Sequence, residues 1–235
     1  MDILLIISAI ICGYLVCGVN PAIVLSKMIY KVDIRTLGSG NAGFTNFKRN
    51  FGHKYAWWVL LFDLLKAGVV IAIFAVLFGF FSRFGNPSVN FDGDAFKLGA
   101  SITGLACVLG HSFPAYYRFK GGKGFLVTMS LVWFIDWKIG LIALGVFMVL
   151  LFTVNYMSLA SVASMLLCPI ILIVIRSFDG GWTGVEIAYV SVYSAAVLLM
   201  AIRHSENLVR LFCGEEKKFY LFGKKSKKEH VAEQK

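Results

Sequence analysis

The chain has 235 residues, of which 58% are hydrophobic and 15% aromatic, and it carries a formal net charge of +10 and a mean hydropathy of +0.76. A soluble domain has only about 45–50% apolar residues, so this composition excludes an ordinary soluble globular protein. Apolar runs of the length that a helix needs to cross a bilayer recur along the chain. The composition therefore predicts an integral membrane protein.

Seven apolar runs are candidates for membrane-spanning helices: Ile3–Leu25, Tyr55–Phe81, Ala95–Tyr116, Phe125–Ile135, Ile139–Val154, Leu159–Ile175 and Val185–Ile202. The first run lacks the basic leader of a signal peptide and is followed by several basic residues, so we expect it to remain as a span. The fourth run is short for a bilayer, which favours either a start below the membrane surface or a re-entrant segment.

The distribution of basic residues predicts the topology. With seven spans, most of the 23 Lys and Arg residues fall on one side, and the other side holds only Arg83, Lys97, Lys138 and Arg176. Basic residues accumulate in cytoplasmic segments. We therefore predict an all-α integral membrane protein with seven transmembrane helices, an outside N-terminus and a cytoplasmic C-terminus. Residues 1–216 form a single polytopic membrane domain, and residues 217–235 form a basic cytoplasmic tail that anionic lipid headgroups attract.

The first polar segment, Leu37–Asn50, contains three glycines that permit a left-handed backbone and could turn several N–H groups toward one anion. Neutral hydrogen-bonding side chains and the basic pair Lys48 and Arg49 stand beside them. The segment therefore favours a phosphate or carboxylate site, although a plain turn between two helices remains the alternative. It also satisfies G-x-G-x-x-G, but the preceding run is too long and apolar for the strand of a dinucleotide fold.

Two further polar segments follow. Phe119–Gly124 reads F-K-G-G-K-G and opens the fourth run, where free N–H groups at a helix start and two lysines would favour an anion. It is not a Walker A loop, because Lys123 is followed by glycine. Beyond the last run, His204 and Asn207 are three residues apart and share one helical face. The topology places all three segments on the cytoplasmic face.

Ionisable and thiol groups also occur within the apolar runs. Asp63 and Lys66 are three residues apart in the second run, which favours an ion pair on one helical face over a catalytic role. The five cysteines have neither ligand-like nor C-x-x-C spacing, so we interpret them as packing residues. The sequence predicts no metal site.

Three motifs taken together resemble one known family. G-S-G-N-A-G-x-T-N-x-x-R spans Gly38–Arg49, F-K-G-G-K-G spans Phe119–Gly124, and H-x-x-N-x-x-R-L-x-x-G-x-E spans His204–Glu216. In this order they are similar to the bacterial acyl-phosphate:glycerol-3-phosphate acyltransferase family. The resemblance implies a seven-helix enzyme that moves a fatty acyl group from acyl phosphate to the 1-hydroxyl of glycerol 3-phosphate. The products would be lysophosphatidic acid and phosphate, in the first acylation of phospholipid synthesis.

The resemblance also implies roles for individual residues. The catalytic residues would be Ser39, Arg49, Lys123, His204 and Asn207. The substrate-binding residues would be Gly38, Gly40, Asn41, Gly43, Thr45, Asn46, Lys120, Gly121, Gly122, Gly124, Ser158 and Ser161. The chain departs from the family at Asn155, where the family has arginine, so we assign no charge there.

The implied partners are acyl phosphate, glycerol 3-phosphate and membrane lipids, without a cofactor, a nucleic acid or an obligatory protein partner. The implied location is the bacterial cytoplasmic (inner) membrane, with the active site on the cytoplasmic face. An acyl phosphate is a mixed anhydride with a good leaving group, so the protein needs anion ligands and oxyanion donors rather than a covalent nucleophile.

Two questions stay open at this point. Histidine is the first candidate for a general base, but the sequence gives His204 no acidic partner, so we expect the donor's phosphate to accept the proton while His204 and Asn207 orient hydrogen bonds. The alternative function is a transporter or flippase for an anionic lipid or phosphate ester. The halves of the chain show no internal repeat, which disfavours transport.

Overall fold

A computed structural model describes residues 3–81, 93–178 and 182–221 of the protein. Within these residues every regular element is helical, which confirms the predicted all-α class. The α-helices in chain order are α1 Ile3–Gly18, α2 Pro21–Tyr30, α3 Phe44–Phe51, α4 Ala56–Phe81, α5 Asp94–Ser112, α6 Phe125–Ile135, α7 Trp137–Val154, α8 Met157–Phe178, α9 Gly184–Ile202 and α10 Ser205–Phe212. Short 3-10 turns occupy Ile34–Thr36 and Ala115–Tyr117.

Each of the seven predicted apolar runs is helical, but the helices differ in their ability to cross a membrane. Six segments of the described chain are long and apolar enough: α1 with α2, α4, α5 with the turn after it, α7, α8 and α9. The 11 residues of α6 extend only about 16 Å, roughly half of a bilayer core. Seven crossing helices and the sidedness of the termini therefore stay predictions.

The first predicted span is interrupted. The run Ile3–Leu25 was expected to be one helix, whereas the structure ends α1 at Gly18 and starts α2 at Pro21. Asn20 causes the break, because its side-chain oxygen accepts from the Ile23 N–H at 3.1 Å and so caps α2. Proline suits the first turn of a helix, where its missing N–H is not needed. The same Asn20 donates to the Ala42 carbonyl and fixes the loop before α3.

Helix α5 occupies the centre of the bundle, where α1, α4, α6 and α9 pack around it. Small residues on α5 allow this close approach. A Cβ at Gly110 would come within 2.2 Å of the Tyr14 carbonyl oxygen, and one at Gly104 within 2.5 Å of the Leu131 side chain. Small residues at interfaces are typical of helices that pack in a membrane.

The polar segments lie where helices are interrupted. Helix α7 ends at Asn155, which adopts a left-handed backbone (φ 60°), a conformation that asparagine tolerates well. Helix α9 gives way to α10 at His204. The last two α5 residues, His111 and Ser112, accept hydrogen bonds from the loop that leads to α6. Of the predicted basic tail, residues 222–235 lie outside the described residues.

Candidate functional site

One pocket gathers most of the predicted site residues. Its lining includes Ser39, Asn41, Gly43, Thr45, Asn46, Arg49, Lys123, Gly124, Ser158, Ser161, His204 and Asn207. The three polar segments predicted to lie together therefore meet in one place. Among the predicted binding residues, those outside the lining are Gly38, Gly40, Lys120, Gly121 and Gly122.

Two backbone amides of the loop before α3 donate to groups of the first polar segment rather than toward the pocket. The Ser39 N–H donates to the Asn46 Oδ1 atom at 3.1 Å, and the Gly40 N–H donates to the Leu37 carbonyl at 3.0 Å. The Asn46 amide nitrogen in turn donates to three backbone carbonyls of the loop. Glycine is needed at Gly38 and Gly40, where φ is 58° and 71°. Asn46 thus organises the turn, and the phosphate site expected in this segment stays a prediction.

The glycine-rich loop before α6 also folds back on the protein. The N–H groups of Gly121 and Gly122 donate to the Ser112 and His111 carbonyls at 3.2 and 3.0 Å. They therefore complete the end of α5, contrary to the expectation that they would face an anion. Lys123 alone of the two loop lysines lines the pocket, because the Lys120 side chain is exposed on the outer side of the loop.

A network of polar side chains connects the second and third motifs. The Lys123 ammonium donates to the Asn207 side-chain oxygen, and the Asn207 amide donates to Glu216 at 2.8 Å. Glu216 also accepts from Ser158 at 3.3 Å and from Arg210 at 3.2 Å. Glu216 was not predicted to be a site residue, although it is the last residue of the third motif and could have been recognised from that position. Burial lowers the pKa of Lys123 to about 8, so the ammonium is still the main form at neutral pH.

The tautomer of His204 follows from its hydrogen bond. A carbonyl oxygen only accepts, so the 2.9 Å contact between Nδ1 and the Met200 carbonyl places the proton on Nδ1. Burial lowers the pKa of His204 to about 4, which keeps the ring neutral near pH 7. The neutral ring then has only Nε2, an acceptor, for a substrate. This refines the expectation that His204 orients hydrogen bonds, because it accepts rather than donates.

A buried charged cluster lies beside the pocket. Asp63 and Lys66 form the predicted ion pair, at 2.8 Å, and Lys66 also donates to the Val19 carbonyl at the end of α1. His111 Nδ1 lies 3.4 Å from the Asp63 carboxylate. Asp63 and His111 both line the pocket. The sequence did not suggest this contact, because the two residues belong to different helices.

Comparisons with known proteins identify the family. The model of the glycerol-3-phosphate acyltransferase family matches residues 7–214 of the chain. A glycerol-3-phosphate acyltransferase 2 from Thermotoga maritima is 32% identical over 212 residues, which cover 90% of this chain and 95% of that protein. The residues matched by the family model include every residue of the pocket lining except Glu216.

Two crystal structures are similar in fold. PlsY (YgiH), an integral membrane glycerol 3-phosphate acyltransferase, superimposes in its glycerol 3-phosphate form with a TM-score of 0.75 and 30% identity, over 93% of this chain and 99% of that one. Its lysophosphatidic acid form gives a TM-score of 0.70 at 30% identity, over 92% of this chain and 95% of that one. This chain is therefore a multi-pass membrane protein that belongs to the glycerol-3-phosphate acyltransferase family.

Proposed function

We propose that this protein transfers a fatty acyl group from acyl phosphate to the 1-hydroxyl of glycerol 3-phosphate, which yields lysophosphatidic acid and phosphate. The observation that carries the proposal is the composition of the pocket. Two cationic side chains, Arg49 and Lys123, share it with hydroxyl and amide groups and with an apolar part that includes Phe125, Leu126 and Met157. A phosphate and an acyl carbonyl that bears a hydrocarbon chain need this combination.

The donor is proposed to be acyl phosphate because Arg49 and Lys123 can bind its phosphate, and because the described contacts of Ser158 and Ser161 do not prepare either serine for covalent transfer. The Ser158 hydroxyl donates to Glu216, and the Ser161 hydroxyl donates to the Met157 carbonyl at 2.7 Å. Neither serine is paired with a histidine that could remove its proton, as covalent acyl transfer would require. A mixed anhydride already has a good leaving group, so direct attack by the acceptor hydroxyl suffices.

Each pocket residue then has a proposed role. Arg49 and Lys123 bind the phosphate groups, because a charged donor gives the strongest hydrogen bonds to an anion. Ser39 and Asn207 add neutral groups at the rim of the same site. Glu216 holds Asn207 in place through the 2.8 Å hydrogen bond, and Asn207 orients Lys123.

The proton of the attacking hydroxyl is proposed to pass to the donor's phosphate. A histidine whose pKa is near 4 is a weak base at neutral pH, which argues against His204 as the final acceptor. Its unprotonated Nε2 atom is suited to accept a hydrogen bond from the acceptor hydroxyl. His204 would then orient the hydroxyl toward the carbonyl carbon while a phosphate oxygen removes the proton.

The site is proposed to face the cytoplasm of a bacterial inner membrane, as the distribution of basic residues favours. Glycerol 3-phosphate would then reach the pocket from the cytoplasm. Acyl phosphate, which carries the fatty chain, would reach it from the lipid side. The chain's exposed apolar faces, such as Leu65, Val69 and Ile73 on α4, support contact with membrane lipids.

Turnover in detergent separates the proposed enzyme from the alternative transporter. An acyltransferase needs no sealed compartment, so the purified protein in micelles should convert glycerol 3-phosphate and acyl phosphate to lysophosphatidic acid. The measurement is product formation by mass spectrometry, with heat-denatured protein as the control. Absence of product in micelles, together with uptake of glycerol 3-phosphate into sealed vesicles, would favour the transporter instead.

A further inference from the structure

The segment after α10 crosses the outside of the pocket. Gly214 adopts a left-handed turn (φ 72°), and the N–H groups of Glu215 and Glu216 donate to the Arg210 carbonyl at 2.7 and 3.1 Å. We call residues 216–221 the C-terminal strap. The family model ends at residue 214, two residues before the strap begins. The sequence placed nearly all of this segment in a basic tail, so its contacts are not explained by the motifs.

The strap is anchored by one buried aromatic ring. Phe219 is only 3% exposed, and its ring centroid lies 5.9 Å from that of Phe44. Its backbone N–H donates to the Asn155 carbonyl at 2.7 Å, at the junction of α7 and α8. A buried phenylalanine of this kind provides a large apolar contact area. The strap is therefore docked between α3 and the start of α8.

A buried lysine provides the second anchor. Lys48 is 6% exposed, and its ammonium donates to the Tyr220 and Leu221 carbonyls at 2.6 and 2.8 Å. The ammonium also lies 4.4 Å from the centroid of the Phe219 ring. Burying a charge costs free energy unless polar groups compensate it, and here the strap's carbonyls do so. Lys48, which the sequence grouped with the phosphate-binding charges, contacts the strap.

The strap reaches the proposed phosphate site at its first two residues. Glu216 contacts Asn207 and Ser158 inside the pocket. The Arg49 guanidinium donates to the Lys217 carbonyl at 2.9 Å. Arg49 therefore has one side of its guanidinium against the strap and also lines the pocket. Lys48 and Arg49 are neighbours on α3, and each donates to carbonyl groups of the strap. Both contacts therefore depend on the docked position of the strap.

We propose that the docked strap orients Arg49 directly, and Asn207 through Glu216, for phosphate binding, and that Phe219 and Lys48 are positioning residues of the site. This inference rests on the proposed function, since it assigns a phosphate ester to the pocket. Undocking the strap would free the Lys217 carbonyl from Arg49 and move the Glu216 carboxylate. The geometry of the anion ligands would then be lost while the transmembrane helices stay intact.

The test compares Phe219→Ala with Phe212→Ala, which removes the same side chain from a position that is 89% exposed. The first measurement is the Kd for glycerol 3-phosphate of each folded, detergent-purified variant, by titration calorimetry. The second is the split between KM and kcat with acyl phosphate as donor. We expect Phe219→Ala to raise Kd and KM by about tenfold or more, with a smaller change in kcat, and Phe212→Ala to match the wild type.

Conservative substitutions distinguish positioning from simple destabilisation. Phe219→Leu, which refills much of the buried space, should restore most of the affinity, and Lys48→Met should raise Kd in the same way as Phe219→Ala. If the folded fraction of Phe219→Ala binds glycerol 3-phosphate like the wild type, the ring is only a packing residue and the inference is wrong.

The binding measurement also separates this inference from the proposed function. A wild-type protein that binds glycerol 3-phosphate but forms no product would refute the function, and the Kd values would still decide the role of the strap. A wild-type protein that does not bind glycerol 3-phosphate would overturn both.

Discussion

Replacing Lys123 with alanine is expected to lower kcat/KM by about 1000-fold or more, because the substitution removes a charged donor from a water-poor site. Lys123 is one of two Lys or Arg side chains among the described residues that line the pocket, and Arg49 is the other. The Asn207 carbonyl oxygen would also lose its partner. Steady-state kinetics with varied glycerol 3-phosphate measure the effect.

Lys120→Ala is the matched control, three residues earlier in the same loop. The sequence predicted that Lys120 binds substrate, whereas the structure leaves its side chain outside the pocket and exposed. We expect Lys120→Ala to retain most of the activity. A loss as large as that of Lys123→Ala would show that the phosphate site lies on the other side of the loop.

The pH profile offers a second check on Lys123. Its pKa of about 8 means that the free enzyme loses this cation as the pH rises through 8. We therefore expect kcat/KM for glycerol 3-phosphate to fall above that pH. Lys123→Arg, which keeps its charge, should lose this alkaline limb even though its absolute rate is lower.

Replacing His204 with alanine is expected to lower kcat by about 100-fold, the second largest effect, because the acceptor hydroxyl would lose the group that orients it. His204→Asn and His204→Gln keep a neutral acceptor and should retain about tenfold more activity than His204→Ala. The measurement is kcat at saturating concentrations of both substrates for each folded variant. His204 is 6% exposed, so thermal unfolding of each variant is the control for stability.

The acidic limb of the pH–rate profile identifies the group that accepts the proton. His204 becomes charged only as the pH falls through about 4, whereas the dianion of a phosphate ester takes up a proton near pH 6. An acidic limb near 6 in both the wild type and His204→Asn is therefore the expected result. If the limb disappears in His204→Asn and that variant is as inactive as His204→Ala, the histidine is the base.

The helices could be predicted from apolar content, but their ends could not always be placed. Among the described residues, the six segments long enough to cross a bilayer each overlap a predicted run, and most extend beyond it by a few residues. The break between α1 and α2 was missed because the hydropathy continues across it. The signal was local, namely an asparagine cap followed by proline at Asn20 and Pro21. A capping hydrogen bond ended the helix where composition alone would have continued it.

The motifs predicted which residues meet at the site, but they did not predict which hydrogen bonds the backbone makes there. The glycines suggested free amides, yet those of Gly121 and Gly122 bond the end of α5. Sequence spacing reports where glycine permits a turn and cannot report which carbonyl each N–H will meet. Lys48 and Arg49 are adjacent in sequence, but they lie on different sides of α3, and only Arg49 lines the pocket.

The remaining features of the site depend on contacts between distant parts of the chain. His111 and Asp63 meet because α4 and α5 pack together. Phe219 is buried although the charged residues Glu215–Lys218 directly precede it, so that it resembled part of a solvated tail. Periodicity within one segment carries no information about these pairs.

The choice of acyl donor tests the central proposal most directly. Purified protein in detergent should be assayed with glycerol 3-phosphate and, in parallel, with acyl phosphate, acyl-CoA and acylated acyl carrier protein at equal concentrations. We predict that lysophosphatidic acid forms with acyl phosphate alone, because the pocket provides the cations Arg49 and Lys123 to bind the phosphate of this donor. Product formation from acyl-CoA or acyl carrier protein at a comparable rate, or no product from acyl phosphate, would contradict it.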